Sequence, residues 1–545
     1  MSAMIQEDKI QVEHQEPTHV LNEEKQFKDA AAEKGQGFSG YEDLSLLQTI
    51  AKFKVATLIC FAVTLSAATD GYQIGIAGNI VANPGFVNQF GNETDSAGAK
   101  IIGASVLGTW GAIGSVCQLL GQVGIPFFAD RFGRKWAQYL YLTSLAIGVL
   151  FESVGRTWQL WLASKLFGGL GVGALQIIIP TYVAEVAPVR IRGALLSCYN
   201  FWFAFGQLIA TLALQVMHVN DPNNWLTPIF TQWSQIGLML IIYLLVPESP
   251  AWAATKGNAE LAKKCLKRIN WGVKDYDVDA QYRLLEMAID HELEEATINH
   301  KSTKWHSIFS GVDGFRTLCS GWGLFAQMFL GIGIFYSYAS YFFSQVGFND
   351  PFKVTCIISG IGLAANMIAT SLADVVGRRM IINVGNTIQA TCCLCVGIVA
   401  VAPASSAGQS LVIFFCCLWV LGFISSGAVA WGYVGELSSS RLRPYTAGFG
   451  AGLSVVNGIW LNYFVSYMLN ANQWNWGLRS AFFYAAAGFP MTIAGYFIFP
   501  ETNRRSPAEL DELFERKIKP WRFHKTKTAL DLARDAQATG EAPAA

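Results

Sequence analysis

The chain has 545 residues, 52% of them hydrophobic and only 14% charged, with a positive mean hydropathy. Soluble domains carry roughly a quarter charged residues, so the composition points to a membrane protein. The 39 basic and 39 acidic residues cancel, which excludes the strongly basic surface that a nucleic-acid partner needs.

In chain order, residues 1–53 are polar, acid-rich and without an apolar core, so the segment reads as a disordered cytosolic tail and not as a cleavable signal peptide. Spanning a hydrocarbon core of ~30 Å takes about 20 apolar residues, and on that count about twelve spans are expected. Six fall in residues 54–246, at 54–82, 101–128, 136–154, 160–186, 193–217 and 229–246. Six more fall in residues 315–499, at 315–344, 352–373, 380–401, 411–434, 446–469 and 480–499. The polar interval 247–314 contains two amphipathic patterns, 258–269 and 280–296, which suit either a brace on the cytosolic face or a solvated linker. Residues 500–545 read as a cytosolic C-terminal tail. Arg and Lys cluster in alternate loops (Arg131, Arg134, Lys135; Arg190, Arg192; Arg378, Arg379; Arg441, Arg443), which places both termini and the middle interval in the cytosol. The glycosylation acceptor at Asn92 then lies in the first external loop. The expected fold class is an all-α membrane protein of two pseudo-symmetric six-helix bundles.

One set of charged residues is written twice between these apolar segments. D-R-F-G-R-K (Asp130–Lys135), the pair Glu185 and Arg192, and P-E-S (Pro247–Ser249) return as D-V-V-G-R-R (Asp374–Arg379), Glu436 and Arg443, and P-E-T (Pro500–Thr502). The offset is nearly constant at about 250 residues, the mark of two homologous bundles around one central site. Charge at a membrane is costly, so charges recurring in register at segment ends point to a gate or hinge of a carrier; the bland reading is an anchor at the headgroups. The 11 cysteines lie almost all in apolar stretches, and those at 392, 393 and 395 have no His or acid at ligand spacing. They read as packing residues, so neither a metal nor a cofactor is expected. No Ser/His/Asp or metal set suggests an enzyme.

Taken as an ordered set, these residues resemble the sugar porter family of the major facilitator superfamily over about residues 55–515. The matching pieces are D-R-F-G-R-K, K-L-F-G-G-L-G-V-G (Lys165–Gly173), P-T-Y-V-A-E (Pro180–Glu185), P-E-S-P, D-V-V-G-R-R, W-G-Y-V-G-E (Trp431–Glu436) and P-E-T-N-R-R-S (Pro500–Ser506). Within that family the second half is most similar to fungal alpha-glucoside permeases, through S-S-R-L-R (Ser439–Arg443), Y-M-L-N…W-N-W-G (Tyr467–Gly477) and A-E-L-D-E-L-F (Ala508–Phe514). The resemblance implies a major facilitator fold that moves a sugar by alternating access. It also implies that Asp130, Arg134, Glu185 and Arg192, and in the second half Asp374, Arg378, Glu436 and Arg443, form ion-pair clusters holding the cytosolic ends together, with Glu248 and Glu501 as further acids. Such pairs would break on inward opening.

A sugar site needs amides and hydroxyls for the solute hydroxyls and an aromatic wall for the ring face. Candidates are Asn200, Gln207, Gln327, Asn366, Asn457 and Asn462, with Trp431, Tyr336 and Tyr338 as ring partners. By resemblance, Gln327 opens the seventh-span motif and Trp431 is the tenth-span tryptophan, whereas Met328, Leu330 and Gly333 stand where the family has Gln, Ser and Asn. Removing those polar groups should weaken hexose binding by about 1 kcal/mol per lost hydrogen bond. By resemblance, Gln73 stands where proton-coupled members carry aspartate, which favours facilitated diffusion, whereas Asp70, one turn earlier, stands where alpha-glucoside permeases carry an acid, so proton coupling through Asp70 and Lys165 is expected. Lys165 replaces the fourth-span arginine, and at ~1.5 Å per residue the two depths match only if the first span ends near Gly78 or tilts. The expected partners are a sugar or related small solute, protons and the bilayer, with the chain acting as a monomer in the plasma membrane. Alternatives are a facilitator or exporter of a polyol, sugar-like acid or secondary metabolite, and a non-transporting sugar sensor.

Overall fold

The computed structural model describes residues 41 and 44–528, apart from 97, 275, 303–304, 404, 439–441, 504 and 506. The first span, Lys54–Ala82, is helical to Thr64 and again over Ala67–Asn79, with i→i−3 bonds at the join and a final 3-10 turn over Ile80–Ala82. It does not end at Gly78. Spans two to six are Ala104–Phe132, Arg134–Val154, Trp158–Val186, Val189–Asn220 and Leu226–Leu245. The eighth, ninth, tenth and twelfth are Pro351–Val376, Arg378–Val399, Ser406–Glu436 and Ser480–Ile498.

Among the described residues ten helices are long and apolar enough to cross a membrane. The other two predicted spans form as well. The eleventh, Arg443–Leu469, has its apolar run diluted by Gly, Ser and Asn. The seventh is discontinuous: helix Gly311–Met328, a break at Phe329–Ile332, a π turn over Gly333–Ser337 and helix Ala339–Gln345. Gly331 sits at φ 99° in the break, and the freed Leu330 carbonyl accepts from Trp419 Nε1 at 2.6 Å and Cys393 Sγ at 3.4 Å. Broken helices are tolerated in a membrane only where the protein satisfies their backbone groups.

The packing partners repeat between halves: second with fourth, third with fourth, first with fifth and third with sixth, matched by eighth with tenth, ninth with tenth, seventh with eleventh and ninth with twelfth. The halves meet along second against eleventh and fifth against eighth, the same pairing exchanged by the pseudo-two-fold. Glycines make the close contacts: a Cβ at Gly173 would lie 2.0 Å from the Gln118 carbonyl, and one at Gly121 2.4 Å from that of Leu170. The Gly-rich stretch of the fourth span is therefore a packing seam with the second.

The segments outside the spans correct the expected tails. Leu46–Lys52 is a helix, capped by Ser45 in a reciprocal box with Gln48, so the first 53 residues are not all irregular. Helices Pro250–Thr255, Ala259–Ile269 and Val278–Ser302 follow the sixth span; Ala253, Ala262 and Tyr282 form their own small core, while Cys265 and Ile269 join that of the first half. Through those two residues they pack on that half. After the twelfth span, helix Pro507–Glu515 and the 3-10 turn Pro520–Lys525 bury Leu510, Leu513, Phe514 and Phe523 against the second half, where Arg316 pairs with Asp511 at 2.5 Å. That part of the expected tail is a folded strap.

Candidate functional site

The duplicated charges sit at one end of the molecule, the basic end, where each half builds the same clasp. Gly133 and Gly377, at φ 107° and 100°, join the second to the third span and the eighth to the ninth. A Cβ there would lie 2.3 Å from Glu248 Oε2 or 2.9 Å from Glu501 Oε2, so only glycine allows both the backbone and the approach. The acid then caps the next span. Glu248 accepts from the N–H groups of Arg134 (2.9 Å), Lys135 (3.1 Å) and Ser249 (2.8 Å), and Glu501 from Arg378 (3.1 Å), Arg379 (3.3 Å) and Asn503 (3.0 Å). A carboxylate at a helix start meets unpaired N–H groups and the positive end of the dipole. Burial pushes the Glu248 carboxyl up from its ordinary value, and those backbone N–H groups oppose the rise.

Side chains close each clasp. Arg134 binds Glu185 at 2.9 Å and Asp130 at 2.8 Å, and Arg378 binds Glu436 at 3.1 Å. Two tyrosines complete the repeat: Tyr182 donates to the Pro247 carbonyl at 2.8 Å, Tyr433 to that of Pro500 at 2.7 Å. They stand three residues before Glu185 and Glu436, a further duplication legible in the sequence.

The clasps differ from expectation in what they join. Arg134 opens the third span and reaches the second and fourth, so the cluster ties helices of one half together. Arg192 is not in it: its Nε is buried without a hydrogen-bond partner, and it forms no ion pair among the described residues. The side chains of Asp374 and Arg443 lie outside the described ones. Hydrogen bonds and ion pairs between described residues of the two halves lie from mid-depth to the far end. Ser340 N–H donates to Asn79 Oδ1 (2.8 Å), Asn470 to the Ile102 carbonyl (2.8 Å), Asn462 to Ser115 Oγ (3.3 Å), and His218 lies 3.8 Å from Asp350. Gly78 packs so tightly there that a Cβ would come 1.8 Å from the Ser337 carbonyl. Among the described residues the halves are thus joined from mid-depth to the far end, while the clasp pairs are made within each half. Asn92 is exposed at the far end, its Oδ1 accepting from Gly103 N–H at 2.8 Å.

Inside the first half Asp70 and Lys165, the two residues expected to couple protons, do not pair with each other. Asp70 is 1% exposed and accepts from Gln176 Nε2, at 3.2 and 3.0 Å to its two oxygens, and from Tyr199 OH at 2.8 Å. Lys165 pairs instead with Glu152 of the third span at 2.7 Å. Glu152 also accepts from Gln232 at 3.0 Å, and Gln232 in turn from Gln73. The reason is depth. Gln176 and Lys165 are eleven residues apart on the fourth span, three turns or ~16 Å, so an acid held by the one cannot reach the other. In the sequence Glu152 lies next to the end of its span, where an acid reads as an interfacial residue.

The substrate candidates separate into two groups. Gln207 bonds Tyr336 OH across the two halves, and both lie near Asp70. Gln327 donates to the Phe423 carbonyl at 3.2 Å and abuts Gly427; Trp431, one turn beyond on the tenth span and 56% exposed, continues that face towards the basic end. Asn200 is exposed and Asn366 half-buried, each without a hydrogen bond among the described residues. The others are engaged elsewhere. Asn457 donates to its own helix at Leu453 and accepts from Trp460, Asn462 joins the halves, and Tyr338 is buried against Gly78 and Gly111 at the far-end seam.

A family model described as "Sugar (and other) transporter" matches residues 59–514. The chain is a sugar porter of the major facilitator superfamily. It is 26% identical to "MFS transporter fmqE" of Aspergillus fumigatus, over 85% of this chain and 86% of that one. It is also 26% identical to the "General alpha-glucoside permease" of Saccharomyces cerevisiae, over 93% and 82%. In fold it is similar to the inward-open xylose transporter XylE of E. coli, with a TM-score of 0.64 at 22% identity, covering 85% of this chain and 99% of that one. This sugar porter is a multi-pass membrane protein with the transporter architecture of those relatives.

Proposed function

We propose that this sugar porter imports a neutral, polyhydroxylated solute (an alpha-glucoside, disaccharide or hexose) across the plasma membrane by alternating access, together with protons. Asp70 carries the reading. It is a carboxylate buried in the membrane interior, held by an amide and a phenol, beside the cross-half contact of Gln207 and Tyr336. Taking up a proton there removes uncompensated charge from a low-dielectric site, whereas neutralising Glu152 would strand Lys165. Lys165 is therefore not the partner of the coupling acid but half of a separate ion pair. The amides of Gln207, Gln327, Asn200 and Asn366 supply hydrogen bonds to hydroxyls, with Tyr336 and Trp431 as ring partners.

In the transport cycle the basic end is cytosolic, and the far-end seam of Gly78 with Ser337 and Asn79 with Ser340 parts to admit solute from outside. The clasps keep each half rigid while it rocks. Met328, Leu330 and Gly333 in the seventh span favour a second reading, a larger or less hydroxylated cargo, exported or imported. Uptake of labelled glucose, maltose, lactose, quinate and a polyol in transporter-null yeast, with and without a protonophore, separates the readings. Alkalinisation of weakly buffered medium on solute addition is expected; unchanged uptake in Asp70→Asn would end the proton-coupled reading.

A further inference from the structure

The Asp70 carboxylate is the end of an amide chain that begins on the second span. Gln118 and Gln122, one turn apart on the same helix face, each donate Nε2 to Gln176 Oε1 at 2.9 Å. Gln176 is an amide with one oxygen and one NH2 group. With its oxygen accepting both neighbours, its NH2 is directed at Asp70, bridging the two carboxylate oxygens. Tyr199 adds a third donated bond from the fifth span. Every bond on Asp70 is thus donated to it, which suits a carboxylate; to receive a carboxylic O–H, Tyr199 must turn its own proton away or Gln176 must turn its oxygen towards the acid. The glycine seam between second and fourth spans, Gly121 against Leu170 and Gly173 against Gln118, lets the three amides meet.

We propose that Gln118 and Gln122 are positioning residues for proton binding: they lock Gln176 as a donor and so hold Asp70 in its ionised form until the amide chain is broken. Were either amide lost, Gln176 could turn its oxygen towards Asp70 and accept a hydrogen bond from the protonated acid. The titratable groups that face Asp70 are the phenols of Tyr199 on the fifth span and Tyr336 in the seventh. Behind Tyr199 stands a second phenol, Tyr243 of the sixth span, which donates to Ser66 and bonds Tyr141 of the third. The nearest buried ion pair along the fourth span, Lys165 with Glu152, is three turns away. The proposal rests on Asp70 being the protonating acid, and its test keeps the two ideas apart.

The experiment is an infrared titration of the purified full-length protein with protons as the only ligand, following the protonated-carboxyl band that Asp70→Asn removes. In Gln118→Leu/Gln122→Leu that band is expected to persist to higher pH by about one unit, the size of shift that losing a charge-assisted hydrogen bond produces. Each single leucine variant, keeping one donor, shifts it less in the same direction and serves if the double variant does not fold. Gln176→Leu, which removes the donor itself, shifts it at least as far. A band that Asp70→Asn removes but that stays at the wild-type pH in the single and double leucine variants of Gln118 and Gln122, whether or not Gln176→Leu moves it, overturns the positioning role. A band indifferent to Asp70→Asn overturns Asp70 as the proton acceptor and the inference with it.

Discussion

At the basic end the two halves are near copies; in the membrane interior they are not. Gly133, Glu248, Arg134, Glu185 and Tyr182 do in one half what Gly377, Glu501, Arg378, Glu436 and Tyr433 do in the other. Deeper in, the first half buries Asp70, Glu152 and Lys165, while the described spans of the second bury amides such as Gln327, Asn383, Asn386 and Gln389 and no carboxylate. What holds each half together has stayed duplicated. Among the described residues the buried carboxylates of the spans are confined to one half, where a change of protonation would alter the charge of the low-dielectric interior.

The largest test of that contrast is the ion pair. Lys165→Ala leaves Glu152 buried without its cation and is expected to cost about 3–5 kcal/mol, read as a lower melting temperature in detergent or loss of folded protein. Lys165→Met with Glu152→Gln should recover most of it, because no charge is then stranded. Next come the paired glycines. Gly133→Ala and Gly377→Ala each force a side chain into a backbone region that is nearly glycine-only, at about 1–3 kcal/mol. Gly133→Ala should be the worse, since its Cβ meets the capping carboxylate 2.3 Å away against 2.9 Å. A thermal-shift series in which the two are equal would weaken the geometric account.

Functional divergence is sharpened by Gln327→Ala beside Asp70→Asn. The amide change should raise the KM for the carried sugar by roughly 5–10-fold, about 1 kcal/mol for a lost hydrogen bond, with its pH dependence intact. The acid change should flatten the pH dependence of uptake. Smallest are Tyr182→Phe and Tyr433→Phe, each removing one buried hydroxyl bond at about 1 kcal/mol. Equal melting shifts would support the mirror symmetry of the clasps, and a shift in one alone would break it.

Much of this architecture could be read from one sequence. The seventh span shows where that reading frays: a run apolar enough to be counted as one helix is broken at Gly331, where the tenth-span Trp419 and ninth-span Cys393 satisfy the freed Leu330 carbonyl. The clasp residues were legible as a duplicated motif, yet which helices they join was not. Arg192 stands beside the cluster in sequence pattern but makes no pair in it, and the acid cap by Glu248 depends on a chain reversal more than a hundred residues away. Among substrate candidates, Asn457 looked free and is held by its own helix at Leu453.

By itself the sequence determined the number and order of spans, their division into two halves and the repeated basic end. Each of those is a local property: a run of apolar residues long enough for the bilayer, or a short charged motif at its end. Only the tertiary structure decided which buried acid meets which partner. A helix turns 100° and rises 1.5 Å per residue, so azimuth and depth together select the neighbour, and both are set by how the helices pack. That is why Lys165 faces Glu152, and why Asp70 is left to Gln176, Tyr199 and the glutamines behind them.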